Sequence, residues 1–370
     1  IPYPTKIVVV DDFVYVRNVT NFYKISKKGY VMNITGDLNT TWWSQSSDGG
    51  FLYLNGWFYW VDRQNSKIKK MSLFESNKQS PAMPDFVGNG YGILDGDSST
   101  AKFRNVFDIT TDGTNLYVTD LTAIRKVTVN GDVTTLAGST NNTTVENGDV
   151  DGIGTSVRFS ANTYKTLRYH NNCLYIADRG NKKVKKLDLT NNEVTTIITI
   201  ANEQIYDIEI INSKIYTLNS DSKIYRYDMD GSNEEHFAGA TVDGNGGNVN
   251  GDLLTAKFHH PRRMSYADGD IYISDQHNQE IKIIRGVGNS IKKAEIKNGT
   301  ISLIMREKIN VEKNKVSVSY TKNTDVTKRL SGTNNFAIKS FTTPIYTIKP
   351  IVKNIFAHYS TINVGTAISG

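Results

Sequence analysis

Apolar and polar residues alternate with a period of two along much of this chain, which is the pattern of half-buried β-strands. The stretch LYIADRGNKKVKKLD at 174–188 is typical, because it alternates, pauses at Asp-Arg-Gly-Asn and alternates again. It predicts two short strands joined by a tight polar turn. An isolated hairpin is only marginally stable in water, so its second face must pack against another part of the protein.

The same hairpin recurs along the sequence. Related stretches lie at 14–25, 58–71, 116–127, 215–227 and 271–284. Their equivalent tyrosines are 41 to 58 residues apart, at Tyr15, Tyr59, Tyr117, Tyr175, Tyr216 and Tyr272. An apolar run precedes the hairpin, as in VFDIT, and another follows it, as in GDVTTLAG. Each repeat therefore predicts four antiparallel strands.

Three repeats carry an additional segment before the hairpin, at 88–103, 138–159 and 239–258. Each segment couples an Asp-Gly or Asn-Gly turn to a small residue or Val two positions before Phe. Four-stranded units of this period are typical of a β-propeller, in which each sheet packs its faces on the neighbouring blades. Leu174, Ile176, Val184 and Leu187 are then expected to fill the spaces between blades.

These residues resemble the NHL-repeat family of β-propellers. The resemblance covers residues 6–290 and rests on the pattern G..DG....AxF, on LYVTD...IRKV with GDVTTLAG, and on HPRRMSYADGDIYISDQHNQEIKII in the last copy. It implies six blades, as the repeat count does. The chain departs from the family pattern in keeping the proline before the inner strand only as Pro261, and in replacing the hairpin Asp by Asn18 and Asn219.

The predicted fold class is therefore all-β: a six-bladed propeller of four-stranded blades at 1–290, followed by a β-rich domain or extension at 291–370. Beyond 290 the repeat ends, and strands are predicted at 300–305, 315–321, 336–341 and 345–364. This region is interpreted either as a small appended β domain or as strands donated between copies of the chain. The N-terminal segment IPYP is a candidate arm for such an assembly.

Composition narrows the class of protein only slightly. Hydrophobic residues make up 38% of the chain, and no run approaches the roughly 18 apolar residues of a membrane-spanning helix. A single cysteine, Cys173, excludes an internal disulfide and is predicted to be a small buried apolar group. The chain begins with Ile1, which fits removal of a leader peptide as well as a truncated start. We expect a secreted protein or one on a cell or virion surface.

The chain contains six histidines that are candidates for metal binding or catalysis: His170, His236, His259, His260, His277 and His358. They do not recur at one equivalent position of the repeat, so no axial metal site, catalytic residue or cofactor is predicted. Asp95, Asp97, Asp149 and Asp151, and Asp243 with Asp252, are interpreted as turn residues, because no complete calcium loop is present. The sequence assigns no binding residue.

Charge leaves one further alternative open. The net charge is +6, and the cluster Lys182, Lys183, Lys185 and Lys186 resembles a phosphate-binding patch, but lysines alternating with Val184 and Leu187 favour a solvated outer strand. Nucleic acid is therefore not the expected partner.

Sequons, which are glycosylation candidates in a secreted eukaryotic protein, occur at Asn18, Asn33, Asn39, Asn141, Asn142 and Asn298.

The predicted function is non-enzymatic: the propeller is a rigid scaffold for binding protein partners, including copies of the chain, and the C-terminal region joins copies into a larger, fibrous assembly. The first alternative is a metal-dependent hydrolase or lyase with its pocket at the propeller axis. The second alternative is an RNA-binding propeller.

Overall fold

The computed structural model describes residues 4–18, 21–26, 30–34, 49–72, 84–161, 164–240 and 246–287, and the backbone of five strands between 291 and 363. The first three blades each form an antiparallel four-stranded sheet. Blade 1 contains β1 Lys6–Val10, β2 Phe13–Arg17, β3 Phe22–Ser26 and β4 Val31–Asn33. Blade 2 contains β5 Phe51–Leu54, β6 Trp57–Asp62, β7 Lys67–Ser72 and β8 Asp85–Val87. Blade 3 contains β9 Val106–Thr111, β10 Leu116–Asp120, β11 Ala123–Val127 and β12 Val133–Gly138.

Blades 4 to 6 vary this plan. Blade 4 contains β14 Lys165–His170, β15 Cys173–Asp178, β16 Lys183–Asp188 and β17 Glu193–Thr199, with the short β13 Gly152–Ile153 paired to β17. Blade 5 contains β18 Ile205–Ile211, β19 Lys214–Asn219, β20 Ile224–Asp228 and β21 Glu235–Ala238. Blade 6 has three strands within the described residues, β22 Pro261–Ala267, β23 Asp270–Asp275 and β24 Glu280–Ile284. In the part of the chain that the structure describes, two single-turn 3-10 helices span Gly154–Ser156 and Arg179–Asn181.

The apolar core lies between consecutive blades, which confirms the predicted six-bladed propeller. One cluster joins Leu174, Ile176 and Leu187 of blade 4 to Tyr117 of blade 3, and another joins Val184 and other residues of blade 4 to blade 5. Further clusters join blade 1 to blade 2 and blade 2 to blade 3. The neighbouring blades therefore bury the second face of each hairpin.

The segments that lengthen some repeats add to these interfaces. Phe103 and Phe159 are fully buried, as are Ala101 and Val157 two positions before them. Phe103 packs between blades 2 and 3, and Phe159 packs between blades 3 and 4. Cys173 is buried in the interface of blades 4 and 5, as predicted.

Blade 1 provides its own four strands, so within the described residues the ring is not closed by exchanging a strand between the first and last blades. Its first strand instead lies beside blade 6, where the Ser274 Oγ is 3.5 Å from the Thr5 carbonyl oxygen. The sequence left this closure open. Among the described residues there is no helix with the length and hydropathy needed to cross a bilayer.

The chain divides into two compact units, one of Ile1–Ser265 with Tyr272–Lys282 and the other of Tyr266–Ile271 with Ile283–Gly370. In the second unit, β25 Ile291–Lys297, β26 Thr300–Met305 and β29 His358–Asn363 form an antiparallel sheet with β26 in the middle. β27 Ile309–Glu312 pairs with β28 Lys315–Val318. The strands expected at 300–305 and near 315 are present, whereas the one expected at 336–341 lies outside the described residues.

Candidate functional site

A buried aspartate at the end of the second strand fixes the rim of several blades. Asp178 accepts a hydrogen bond from Asn181 Nδ2 at 2.8 Å, and Asp275 accepts one from Asn278 Nδ2 at 2.8 Å. Both carboxylates also accept a backbone N–H from the loop that leads into the first strand of the same blade, that of Ser160 or His259. The repeated Asp-x-x-Asn therefore holds two loops of one blade together.

The aspartates in the long inserted segments are paired to cations of the third strand. Asp95 lies 2.8 Å from Arg125, and Asp151 lies 2.6 Å from the ammonium of Lys185. Asp97 accepts hydrogen bonds from the Ser99 and Thr100 hydroxyls. Asp243 lies outside the described residues. These contacts support the interpretation of the Asp-rich segments as structural turns.

The lysine cluster is not a uniform solvated face, which corrects that interpretation. Lys185 is fully buried, with its ammonium 2.9 Å from Asp149 and 2.6 Å from Asp151. Lys183 contacts Asp149 at 2.5 Å, and Lys182 donates to the carbonyl of Ala201 at 3.0 Å. The inserted Asp149 and Asp151 thus neutralise Lys183 and Lys185, two of the four lysines on which the RNA-binding alternative rests.

A network of opposite charges occupies the propeller axis. Its acids are Asp108, Asp207 and Glu209, and its bases are Lys6, Arg168 and Arg263. All lie on the innermost strands of five different blades. Blade 2 provides Gly50 instead, where a Cβ would lie 2.1 Å from the Asp108 carboxylate, so only glycine leaves space for that side chain.

The axial charges set each other's ionisation. Although burial raises the pKa of Asp108, the neighbouring Lys6, Arg263 and Arg168 outweigh it and lower the pKa overall. Burial lowers the pKa of Lys6, and the nearby Arg168 lowers it further. Burial raises the pKa of Glu209. The network fills the place at which the hydrolase or lyase alternative located its pocket.

An arginine–aromatic cluster lies where the innermost strands begin, on the side of the hairpin turns. Its members are Phe107, Tyr164, Tyr206, Arg63, Arg179 and Arg262. The Phe107 and Tyr164 rings are stacked with centroids 4.1 Å apart and an interplanar angle of 6°. The guanidinium carbon of Arg63 is 4.3 Å from the Tyr164 centroid, and that of Arg179 is 4.4 Å from the Tyr206 centroid. Arg262 lies on Tyr206 at 5.1 Å.

A neutral amide orients each of the three arginines. Nε of Arg63 donates to Asn105 Oδ1 at 2.6 Å, and Nε of Arg262 donates to Gln276 Oε1 at 2.8 Å. Nε of Arg179 donates to Gln204 Oε1 at 2.9 Å. Within the described residues, Arg63 and Arg262 form no ion pair with a carboxylate. These two guanidinium groups are therefore held in place without a neutralising carboxylate among the residues that the structure describes.

The cluster borders a cavity of about 110 Å³, which is lined by Arg63, Asn105, Phe107, Thr119, Leu121, Ala161, Tyr164 and Lys165. Lys165 is buried, and burial lowers its pKa to about 8. Its Nζ donates to the carbonyls of Leu121, at 2.7 Å, and Ser160. These partners anchor the ammonium to the backbone, so it braces the cavity wall.

The remaining sequence candidates are dispersed, apart from one group. His170 lies near Tyr175, and His236 lies beside Tyr225, whereas His259, His260 and His277 come together on blade 6. His358 lies on β29. Among the sequon asparagines, Asn18 is buried, Asn33 ends β4, Asn141 and Asn142 bond within loops, and Asn39 and Asn298 lie outside the described residues. Glycosylation stays a prediction.

The arginine–aromatic cluster was not among the sites predicted from the sequence. Arg63 and Arg179 do occupy the same position of the repeat, directly after the hairpin aspartate in VDR and ADR. Their aromatic partners come from other blades. The amide partners Asn105 and Gln204 also share one position of the repeat, two residues before an aromatic residue in NVFDI and QIYDI. The sequence thus shows that arginines and amides recur, but it does not show which of them meet across blades.

The described fold and sites belong to the class of six-bladed β-propellers, and comparison with known proteins supports that class. A structural-genomics protein of unknown function from Bacteroides thetaiotaomicron VPI-5482 is similar, with a TM-score of 0.55 and 13% identity over 76% of this chain and 69% of that chain. An auxiliary nutrient binding protein from Bacteroides ovatus ATCC 8483 is similar with a TM-score of 0.51 and 15% identity, over 74% of this chain and 66% of that one.

At these identities the similarity shows a shared fold. No protein-family model matches the chain, and no curated protein sequence matches it.

Proposed function

We propose that this chain is a non-catalytic binding propeller of the NHL type, secreted or displayed on a surface, and that the arginine–aromatic cluster binds its ligand. The observation that carries the proposal is the shared arrangement of Arg63, Arg179 and Arg262, each stacked on a tyrosine and oriented by an amide. The fold is also that of a protein named as nutrient-binding, which supports a binding role.

The chemistry of the cluster favours an anionic ligand with a flat face. A guanidinium fixed through Nε presents the donors of its remaining nitrogens in a planar fork, which suits a carboxylate or phosphate. Tyr164 and Tyr206 offer flat rings with a polar tip. A cavity of about 110 Å³ accommodates one acidic group rather than a whole large molecule. An acidic saccharide combines these properties.

Calorimetric titration with trigalacturonate tests the proposal, with its methyl ester as the uncharged match. We expect the acid to bind at least tenfold more tightly than the ester, and Arg262→Gln to remove that preference. Arg226→Gln is the matched control, because Arg226 pairs with Glu235 at the surface of blade 5. Equal binding of acid and ester, or equal effects of the two substitutions, contradicts the proposal.

A single-stranded RNA oligonucleotide provides the third arm of the titration. Binding that weakens steeply with salt, together with no preference for trigalacturonate over its ester, favours the RNA-binding alternative.

We further propose that residues 1–290 act as the scaffold and that residues 291–370 join copies of the chain. Among the strands that the structure describes, β25 and β29 are the outer ones of their sheet, and the edge of a sheet can pair with a strand of another chain. Sedimentation of the full chain is expected to show an oligomer, and the 1–290 fragment is expected to sediment as a folded monomer. A full chain that stays monomeric at high concentration contradicts this role.

A further inference from the structure

Three histidines that are separated in sequence meet at one edge of blade 6. His259 and His260 directly precede β22, and His277 follows β23. Their ring centroids are 4.4 to 5.4 Å apart. One nitrogen from each ring can be chosen so that all three lie within 4.8 Å of one another. The two loops of the blade thus bring three potential metal ligands together.

The backbone around the group is firmly held. Asp275 accepts the His259 N–H at 2.7 Å, and the His277 N–H donates to the His259 carbonyl at 3.1 Å. His260 has a φ of +49°, in the left-handed region that costs a residue with a Cβ on the order of 1 kcal/mol. This strained conformation is maintained where the three rings meet.

Space for the first ring depends on a glycine. A Cβ at Gly246, whose φ is +125°, would lie 2.6 Å from Cδ2 of His259. Glycine therefore both adopts the backbone conformation and admits the imidazole.

The pKa values of two of the three rings are lowered, mainly by burial. Burial lowers the pKa of His260, and His277, His259 and Arg262 lower it further. Burial also lowers the pKa of His277, with His259 and Arg262 acting in the same direction and Asp275 opposing them. Neutral imidazole has the lone pair that a metal ion needs, whereas imidazolium has none.

We propose that His259, His260 and His277 bind a late first-row divalent cation, of which Zn²⁺ is the best match. Imidazole nitrogen suits Zn²⁺, Cu²⁺ and Ni²⁺. Three Zn–N bonds of about 2.0–2.1 Å in a tetrahedral site bring the nitrogens to about 3.3 Å from each other, so the rings close by rotating their side chains. His277 is exposed, which leaves the fourth position to water.

This site differs from the axial pocket of the enzyme alternative, because all three ligands come from one blade. None of the three histidines belongs to the arginine–aromatic cluster, although Arg262 of that cluster lies close enough to lower the pKa of His260 and His277. The tests are separate: trigalacturonate binding tests that cluster, and metal binding tests this site. Either result stands without the other.

The test is a Zn²⁺ titration of the full chain, prepared without an affinity tag, by calorimetry at about pH 7.5. We expect one Zn²⁺ per chain, at least about 100-fold weaker binding in His277→Ala and in His260→Ala, and no change in the matched control His170→Ala. Lowering the pH to about 5.5 is expected to release the ion, because protons compete for the imidazoles.

A second readout keeps the test independent of folding defects. Co²⁺ is expected to give the visible absorption of a tetrahedral site in the intact chain and to lose it in His277→Ala, whose circular dichroism should match that of the parent chain. Failure of the intact chain to bind Zn²⁺ at millimolar concentration overturns the proposal. Binding that His277→Ala and His260→Ala leave unchanged overturns it as well.

Discussion

The axial network lies on the innermost strands, and the arginine–aromatic cluster lies beside it, where those strands begin; both are rich in basic side chains. At the axis, Arg168 contacts Asp108, Asp207 and Glu209 at 3.1 to 3.4 Å. In the cluster, the arginines contact rings and amides. Arg263 belongs to the network and reaches towards the cluster, with its guanidinium carbon 4.9 Å from the Phe107 centroid.

The arginines of the two regions differ in the groups that they contact, and this difference indicates different roles for them. A buried arginine paired with carboxylates joins blades, because removing either partner leaves an uncompensated charge. Arg63 and Arg262 are instead oriented by an amide and an aromatic ring, and they form no ion pair with a carboxylate of the described residues. The partner, rather than the basic residue itself, therefore indicates which role an arginine serves.

The largest expected effect is at the axis. Arg168→Met leaves Asp207, Glu209 and Asp108 without their shared cation, and we expect a loss of about 3–5 kcal/mol in the free energy of unfolding. Urea denaturation measures it. Arg226→Met, at an exposed ion pair, is the control and should cost about 1 kcal/mol or less. Equal losses of stability in the two variants would contradict a structural role for Arg168 in joining the blades.

Lys165 provides an intermediate case, because it is buried beside the cluster and its Nζ donates to backbone carbonyls. Within the described residues it forms no ion pair, although Asp178 is near enough to oppose the lowering of its pKa. Burial lowers its pKa in the folded chain to about 8, below the unfolded value of about 10.4. Between these two values the unfolded chain binds more protons, so stability rises with pH across that window. We expect the parent chain to gain up to about 3 kcal/mol relative to Lys165→Met between pH 8 and 10.5.

The measurement is urea denaturation of both chains at several pH values. The comparison of the two chains is needed because burial also raises the pKa of Tyr175 to about 12, an effect that lowers stability above pH 10 in both. A difference between the chains that does not change with pH would show that Lys165 keeps its proton when buried.

Salt is expected to affect the axial network and the arginine–aromatic cluster differently. The axial pairs are shielded from solvent, so the cost of Arg168→Met should stay nearly constant between about 0.05 and 0.5 M NaCl. Binding of trigalacturonate at the partly exposed cluster should weaken about tenfold over that range. Loss of the Arg168→Met effect at high salt would contradict the burial of the network.

The smallest expected effect is the stability change in Arg63→Gln. Arg63 is partly exposed and has no carboxylate partner among the described residues, so thermal unfolding should change by about 1 kcal/mol or less. Trigalacturonate binding should nevertheless fall about tenfold. A large loss of stability would show that Arg63 is a structural residue like Arg168.

The propeller could be predicted because the sequence patterns that specify each blade are local and recur in every repeat. Period-two alternation, recurring tyrosines and the A-x-F segments each report burial between blades, and all six tyrosines are buried. The axial network could not be predicted in the same way. Lys6, Asp108 and Arg168 lie in different blades at positions without a common motif, and they meet only because the ring closes.

The histidine group shows the same limit in another form. His259, His260 and His277 do not recur at one position of the repeat, and recurrence between blades cannot reveal side chains that two loops of a single blade bring together. The interpretation of the lysine cluster as a solvated outer strand failed for a related reason. Alternation with Val184 indicates that Lys185 faces away from one interface, but it does not reveal that inserted Asp149 and Asp151 cover it.

The Asp-x-x-Asn contacts carry a consequence for how such rings change in size. Because Asp178 and Asp275 bind loops of their own blade, a duplicated blade would keep the same loop conformation at its rim. The axial network has no such independence, since its three acids and three bases are balanced across blades. A seventh blade would keep its local shape yet leave the centre of the wheel wider and its charges too far apart to neutralise one another.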